Sequence, residues 1–152
     1  MEVKFVSGKA EKQRIARGVL EALQDWFEIP EAREAYIRES ADLPFCAAYE
    51  ANKPLGFLCL KETGKATVEL HVMGVLREYQ RKGVGKALFE KAKERAKSAG
   101  YSFLQVKTVQ MGKYEDYDET NRFYLAVGFK EFEVFPMLWD EKNPCQIYVM
   151  AL

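Results

Sequence analysis

Two closely spaced glycines, Gly83 and Gly85, at the start of a helical segment are the clearest candidate binding feature of this sequence. They follow an apolar, β-branched run and precede an amphipathic segment, with basic residues on either side. Glycines at a helix start let the backbone approach a ligand closely, and the first-turn amides have no partner within the helix. Because these amides and the helix dipole favour an anion, the segment predicts a pyrophosphate site. Its residues are Gln80, Arg81, Lys82, Gly83, Val84, Gly85 and Lys86.

The same glycines are also compatible with a tight strand-to-helix turn that binds nothing. Two better-known phosphate-binding patterns do not fit this segment. The Walker pattern places Ser or Thr after its lysine, whereas Lys86 precedes Ala87. The dinucleotide-binding pattern G-x-G-x-x-G needs a third small residue where this chain has Leu88, and it belongs to the first strand–helix turn of its fold.

Hydrophobic periodicity and turn residues predict the element order β-α-α-β-β-β-α-β-α-β-β. An antiparallel first part and one β-α-β crossover in the middle indicate a single mixed α/β domain over residues 1–152. A turn at 52–54 joins the second and third strands, and a polar loop is predicted at 110–119. The predicted strands are Val3–Val6, Phe45–Glu50, Leu55–Glu62, Thr67–Val75, Phe103–Val109, Lys130–Phe135 and Gln146–Met150, and the predicted helices are Lys9–Phe27, Pro30–Glu39, Gly83–Ser98 and Thr120–Val127.

Composition excludes several function classes. Lys plus Arg and Asp plus Glu both number 23, so the chain lacks the positive field of a typical nucleic-acid binder, and we expect no nucleic-acid partner. No apolar run could span a bilayer and no apolar signal region begins the chain, so we expect a cytoplasmic protein without membrane association. Three separated cysteines and one histidine predict neither a disulfide framework nor a metal site.

Together these features resemble the GNAT superfamily of acyl-CoA-dependent N-acetyltransferases. Gln80-x-x-Gly83-x-Gly85, after a strand and before an amphipathic helix, is similar to that family's acetyl-CoA loop, Q/R-x-x-G-x-G/A. The resemblance implies a sheet with a splayed central strand, and acetyl-CoA as acyl donor held by the amides of residues 81–86. It extends over Val72-Met73-Gly74-Val75, Tyr79, Asn121-Arg122-Phe123-Tyr124 and Gly128-Phe129, and the element order matches from end to end.

The resemblance also implies a role for the strand before the loop. In the family this strand leaves its neighbour at a bulge, and its free backbone groups bind the pantetheine arm. Gly74 agrees with this, because an interior strand glycine often marks a bulge or a close backbone approach. The expected pantetheine contacts are therefore Met73, Gly74, Val75 and also Asn121, which matches the family residue that reaches this arm.

Acyl transfer to an amine needs a base, because an alkylammonium with a pKa of about 10 cannot attack a thioester. Glu69 lies where some family members carry a glutamate base. His71 follows two residues later, shares its strand face if side chains alternate, and is a rival base; a water relay is also open. Tyr124 matches the family tyrosine that protonates the departing thiolate.

The acceptor is the least determined part of this hypothesis: the resemblance implies a primary amine of a small molecule or a peptide. A non-catalytic acyl-CoA sensor of the same fold is the alternative. An apolar run, Phe132, Phe135, Met137, Leu138 and Trp139, leaves a homodimer open. Candidate acceptor-wall residues are the aromatic Trp26, Phe27, Tyr36, Tyr114, Tyr117, Phe135 and Trp139 and the acidic Glu115, Asp116 and Asp118.

Overall fold

A mixed seven-stranded sheet runs through the computed structural model, which describes residues 1–152. The strand order is β1-β2-β3-β4-β5-β7-β6, and only β4 and β5 pair in parallel. This confirms the predicted fold class and the predicted order of elements. The strands are β1 (Glu2–Phe5), β2 (Phe45–Glu50), β3 (Lys53–Glu62), β4 (Thr67–Val75), β5 (Phe103–Val109), β6 (Lys130–Asp140) and β7 (Asn143–Ala151), and the helices are α1 (Lys9–Ala22), α2 (Pro30–Ser40), α3 (Val84–Ser98) and α4 (Glu115–Ala126), with a 3₁₀ turn at Arg77–Tyr79.

Two hydrophobic clusters cover opposite faces of the sheet. One cluster joins the strands to α3, through residues such as Leu88 and Phe89, and it includes Tyr124 of α4. The other joins the strands to α1 and α2, through residues such as Leu20 and Ile37. Because helices cover both faces of the sheet, a cleft can form only at the ends of the central strands.

The first helix is shorter than predicted. It ends at Ala22, and the amides of Trp26 and Phe27 both donate to the carbonyl of Leu23, at 2.9 Å each, in a turn that leads towards α2. Leu23 is nevertheless 3% exposed. The apolar spacing that predicts the helix therefore continues past the end of the helix.

The predicted polar loop at 110–119 is wrong in its second half, because α4 begins at Glu115 rather than at Thr120. Three acidic side chains, Glu115, Asp116 and Asp118, occupy its first turn, where negative charge interacts favourably with the helix dipole. The carboxylate of Asp118 also accepts a hydrogen bond of 2.7 Å from the amide of Gly112. The acidic run is thus a helix start.

The last two strands form a longer hairpin than predicted, because β6 extends to Asp140 and β7 begins at Asn143. Its ladder is interrupted between Phe135 and Asp140, so Pro136 has no ladder partner. Proline is tolerated there because β6 is the edge of the sheet. The earlier hairpin turns at Ala51 and Asn52, whose φ values are 48° and 70°, rather than at residues 52–54.

No helix in the structure is long and apolar enough to cross a membrane. No group of three or more His, Cys, Asp or Glu side chains is arranged to hold a metal ion.

Candidate functional site

The turn between β4 and α3 presents a row of unpaired backbone donors. The amides of residues 81–86 donate no hydrogen bond within the protein, and the first amide with a partner is that of Ala87, which bonds the carbonyl of Gly83. Arg81 and Gly83 have φ values of 61° and 85°, a left-handed geometry that turns successive amides towards one side. Such a row of donors fits an anion, and its role as a pyrophosphate site stays a prediction.

Side chains fix this turn against the rest of the site. Gln80 donates through Nε2 to the carbonyl of Val75 at 2.9 Å, so the turn is tied to the end of β4. Arg81 forms an ion pair of 2.5 Å with Glu119 of α4. Lys82 lies over the ring of Tyr79 at 5.8 Å, and Lys86 is exposed. Glu119 matches the charge of Arg81, so Lys82 and Lys86 are the basic residues of the turn that have no ion-pair partner.

An opening between β4 and β5 leads away from the turn. The two strands pair only from Thr67 and Phe103 to Glu69 and Gln105, although β4 continues to Val75 and β5 to Val109. Beyond that point β4 remains paired with β3, and β5 remains paired with β7. The central strands are therefore splayed, as predicted.

The bulge that accompanies this splay lies at His71 and not at Gly74. Cys59 pairs with Val72 and Leu60 with Leu70, which leaves His71 as the extra residue of β4. Gly74 serves the other purpose expected of it, a close approach: a Cβ there would lie 2.9 Å from Cγ1 of Val19 in α1. The backbone of β4 thus packs tightly beneath α1 along the opening.

Glu69 lies where β4 and β5 separate, and its side chain is 10% exposed. Lys107 Nζ lies 2.8 Å from Glu69 Oε1, and His71 Nδ1 lies 3.7 Å from Glu69 Oε2. Burial would raise the pKa of this carboxyl, but His71 and Lys107 together outweigh burial and hold the pKa below its ordinary value. Glu69 is therefore ionised at neutral pH, and His71 shares its strand face as expected.

Tyr124 packs within the sheet face covered by α3, against the rings of Phe129 and Tyr148. Its hydroxyl makes no hydrogen bond in the protein, yet no fully buried side-chain oxygen or nitrogen lacks a partner, so the hydroxyl reaches solvent. Burial of the ring, followed by the charge of Glu69, raises the pKa of the Tyr124 phenol well above its ordinary value. The phenol keeps its proton at neutral pH, as a proton donor must.

Asn121, one turn before Tyr124, is buried and fully engaged inside the protein. Its Nδ2 donates to the carbonyls of Val109 and Tyr117 at 2.9 and 2.6 Å, and its Oδ1 accepts from the Tyr148 hydroxyl at 2.5 Å. Asn121 therefore ties α4 to the end of β5 and to the interior of β7. Its contact with a pantetheine arm stays a prediction.

Aromatic rings wall the side of the opening that lies beyond Glu69. Tyr36 of α2 meets the His71 ring edge-on, with ring centres 5.5 Å apart. Trp26 from the α1–α2 turn meets Tyr117 of α4 at 6.1 Å, so the two flanks of the opening touch. Phe27 and Tyr114 extend the two ends of this wall.

The cysteines do not provide an alternative nucleophile. All three cysteines are buried and none forms a disulfide: Cys46, Cys59 and Cys145. Burial raises the pKa of each thiol, to about 12 for Cys46, so each is protonated at neutral pH.

Sequence reasoning missed Lys107 and Glu39. Lys107 reaches Glu69 from β5, and Glu39 lies 3.2 Å from His71 Nε2 through its Oε2 atom, from α2. Alternation along β5 places Lys107 and Gln105 on one face, but only the parallel register of β4 and β5 shows that this face meets Glu69. Nothing in the sequence signals Glu39.

Comparisons with known proteins agree with this architecture. A structure from Desulfovibrio desulfuricans placed in the GNAT family matches with a TM-score of 0.86 and 21% identity, over 99% of this chain and 98% of that chain. An aminoglycoside 6'-N-acetyltransferase complexed with coenzyme A matches with a TM-score of 0.74 and 17% identity, over 99% and 97%. A ribosomal-protein-alanine N-acetyltransferase from Brucella melitensis matches with a TM-score of 0.76 and 13% identity, over 100% of both chains.

No curated protein sequence matches this chain. The model of the acetyltransferase (GNAT) family matches residues 13–129, a span that contains the glycine turn, the splayed strands and Tyr124. The chain therefore belongs to the acetyltransferase (GNAT) family.

Proposed function

We propose that this protein transfers an acetyl group from acetyl-CoA to the primary amine of an acceptor, by direct attack within a ternary complex. The observation that carries the proposal is the separation of β4 and β5, next to a turn whose amides at residues 81–86 have no partner. We place the donor in this opening, with its pyrophosphate at these amides and its thioester near Glu69 and Tyr124, where the charge of Glu69 acts on the Tyr124 phenol.

Acetyl-CoA would supply an activated acyl carbonyl, and the residues of this chain would bind it and move protons. The amides from Arg81 to Lys86 hold the pyrophosphate, and the backbone of Met73, Gly74 and Val75 lies beside the pantetheine arm. Glu69 accepts a proton from the acceptor ammonium, which frees the nitrogen lone pair for attack. Tyr124 gives its proton to the departing sulfur and regains one from the nitrogen that has formed the amide.

The acceptor side supports an amine. Aromatic faces such as those of Trp26, Tyr36 and Tyr117 attract an ammonium group through cation–π interactions, and Glu69 offers the carboxylate beyond them. We propose a small-molecule or peptide amine, in line with the names of the similar structures, which include aminoglycoside and ribosomal-protein-alanine N-acetyltransferases.

Two measurements on the purified protein test the proposal together. The first is a thermal-shift titration with acetyl-CoA, with CoA and ATP as comparisons. A ligand at one hundred times its Kd stabilises a protein by about 2.7 kcal/mol, so binding should raise the Tm by several degrees. The second is a thiol-release screen across monoamines, polyamines, aminoglycosides and peptide N-termini.

We expect stabilisation by acetyl-CoA and thiol release that depends on one class of amine. Stabilisation by acetyl-CoA without turnover on any amine would support the sensor alternative. Stabilisation by ATP but not by CoA would contradict both the enzyme and the sensor.

A further inference from the structure

A row of charged and titratable side chains lies beside the proposed acceptor site. Lys107 Nζ lies 2.8 Å from one oxygen of Glu69, and His71 Nδ1 lies 3.7 Å from the other. The second ring nitrogen of the same histidine, Nε2, lies 3.2 Å from Glu39 Oε2. These side chains come from β5, β4 and α2, so only the tertiary structure brings them together.

This row of side chains leads from the interior of the opening to the surface. The Glu69 side chain is 10% exposed, that of His71 is 15% exposed and that of Glu39 is 38% exposed. At the outer end Lys61 Nζ lies 3.4 Å from Glu39 Oε2. Of the two side chains that contact the Glu69 carboxylate, an ammonium such as that of Lys107 has no acceptor atom, so the contact that can carry a proton onward is the one to His71.

We infer that His71 passes the amine's proton from Glu69 to Glu39, and that Lys107 is the positioning residue that holds Glu69 for this transfer. The inference rests on the proposed acetyl transfer, because that reaction supplies the proton. An imidazole suits the step, since one ring nitrogen can accept a proton while the other releases one. The separation of 3.7 Å between His71 and Glu69 closes to hydrogen-bond length by a small side-chain movement or through one water.

The proton balance agrees with this assignment. An ammonium that becomes an amide nitrogen loses two protons, and the thiol product takes one of them. The other proton leaves the site, and the route Glu69, His71, Glu39 and solvent accounts for it, with each group regaining its starting state. The charged and titratable groups that contact His71 are Glu69 on its own strand and Tyr36 and Glu39 on α2. Lys61 on β3 pairs with Glu39, and Lys107 on β5 pairs with Glu69.

Nuclear magnetic resonance tests the arrangement without reference to turnover. His71 is the only histidine in the chain, so its ring ¹⁵N signals need no residue assignment, and their couplings to the ring carbon-bound protons distinguish Nδ1 from Nε2. We expect Glu39→Gln to move the Nε2 signal and Glu69→Gln to move the Nδ1 signal. Glu34→Gln is the matched control, because Glu34 lies on the same helix as Glu39 but pairs with Arg17. If neither Glu39→Gln nor Glu69→Gln moves the ring signals, the proposed contacts of His71 with Glu39 and Glu69 are wrong.

Kinetics with a responsive amine test the proton transfer itself. We expect His71→Ala to lower kcat by about tenfold or more while the KM for acetyl-CoA changes little, and added imidazole to restore part of the loss. Glu39→Gln should lower kcat and make it depend on buffer concentration, whereas Glu34→Gln should match the wild type. Unchanged kcat in His71→Ala, or a loss that imidazole does not relieve in a variant of normal Tm, would overturn the inference. Absence of turnover by the wild type on every amine would instead count against the proposed function.

Discussion

Glu69 and Tyr124 are two buried titratable residues that differ in their protonation state. Both are buried, and burial raises the pKa of each, but only Glu69 has a cation within hydrogen-bond distance. Glu69 therefore keeps its charge and Tyr124 keeps its proton. Glu69 is thus in the ionised form that can accept a proton, and Tyr124 is in the protonated form that can donate one.

Tyr124→Phe should lower kcat by about a hundredfold and change the KM for acetyl-CoA little, because the proposed mechanism has the hydroxyl act on the departing sulfur and not on the pyrophosphate. Steady-state thiol release measures both constants. Tyr101→Phe is the matched control, since the Tyr101 hydroxyl bonds Glu62 at 2.6 Å and lies outside the opening. Equal turnover in wild type and Tyr124→Phe would remove Tyr124 from the mechanism.

Lys107→Met should move the acid limb of the kcat/KM profile to higher pH. Loss of the ammonium removes one of the two groups that offset burial and leaves only His71, so the pKa of the Glu69 carboxyl rises and the base form is lost at a higher pH. A pH–rate profile from pH 4 to 9 measures the limb. Lys97→Met, at the far end of α3, should leave it in place. An acid limb that does not respond to Lys107→Met would mean that Glu69 is not the base.

At the scale of elements, the glycine turn depends on backbone geometry more than on side-chain space. A Cβ at Gly83 would meet nothing within 4 Å, but its φ of 85° lies in the left-handed region that costs other residues about 1–2 kcal/mol. The same φ turns the following amides of α3 outward. Gly83 is therefore required for the conformation and not for packing.

Gly83→Ala should lower the free energy of unfolding by about 1 kcal/mol and raise the KM for acetyl-CoA with a smaller effect on kcat. Urea unfolding and steady-state kinetics measure these changes. Gly64→Ala is the matched control, because Gly64 has open space around it and no positive φ. If both variants bind acetyl-CoA as the wild type does, the turn does not hold the pyrophosphate.

At the scale of the whole molecule, the buried ion pair makes stability depend on pH. The folded pKa of Glu69 lies below its ordinary value, so its contribution to stability is complete above the unfolded pKa of about 4.3 and is lost as the pH falls through the folded value. The unfolding free energy should decrease on acidification over this range.

Glu69→Gln isolates that contribution, because the amide cannot titrate. Urea unfolding at pH 7 and at pH 3.5 should show a smaller acid-induced loss in Glu69→Gln than in the wild type. Glu90→Gln, an exposed change on α3, serves as the control and should lose as much as the wild type. Equal losses in all three proteins would show that Glu69 has the same pKa folded and unfolded.

The edge strand β6 carries exposed apolar side chains that could contact a second copy of the protein. Phe132 is 64% exposed and Met137 is 68% exposed, and both lie on this edge strand. Exposed apolar side chains on an edge strand favour association, so a homodimer through this hairpin stays a prediction. Sedimentation of the wild type and of Met137→Lys measures it.

Local patterns determined much of this protein. The apolar spacing along α3, the alternation along β4 and the glycines at 83 and 85 each reflect contacts within a few residues, and they predicted the element order, the turn and its unpaired amides. Where the pattern had two physical causes, the prediction was wrong. Leu23 is buried without being helical, and the acidic run at residues 115–118 begins a helix and not a loop.

Which charged side chains meet depends on how the strands and helices pack together. The parallel register of β4 and β5 brings Lys107 to Glu69, and the packing of α2 on the sheet brings Glu39 to His71. The bulge falls at His71 because the pairing of β3 with β4 shifts there, which no residue of β4 signals by itself. Sequence periodicity records which side of an element is buried, whereas these contacts depend on the relative placement of elements far apart in the chain.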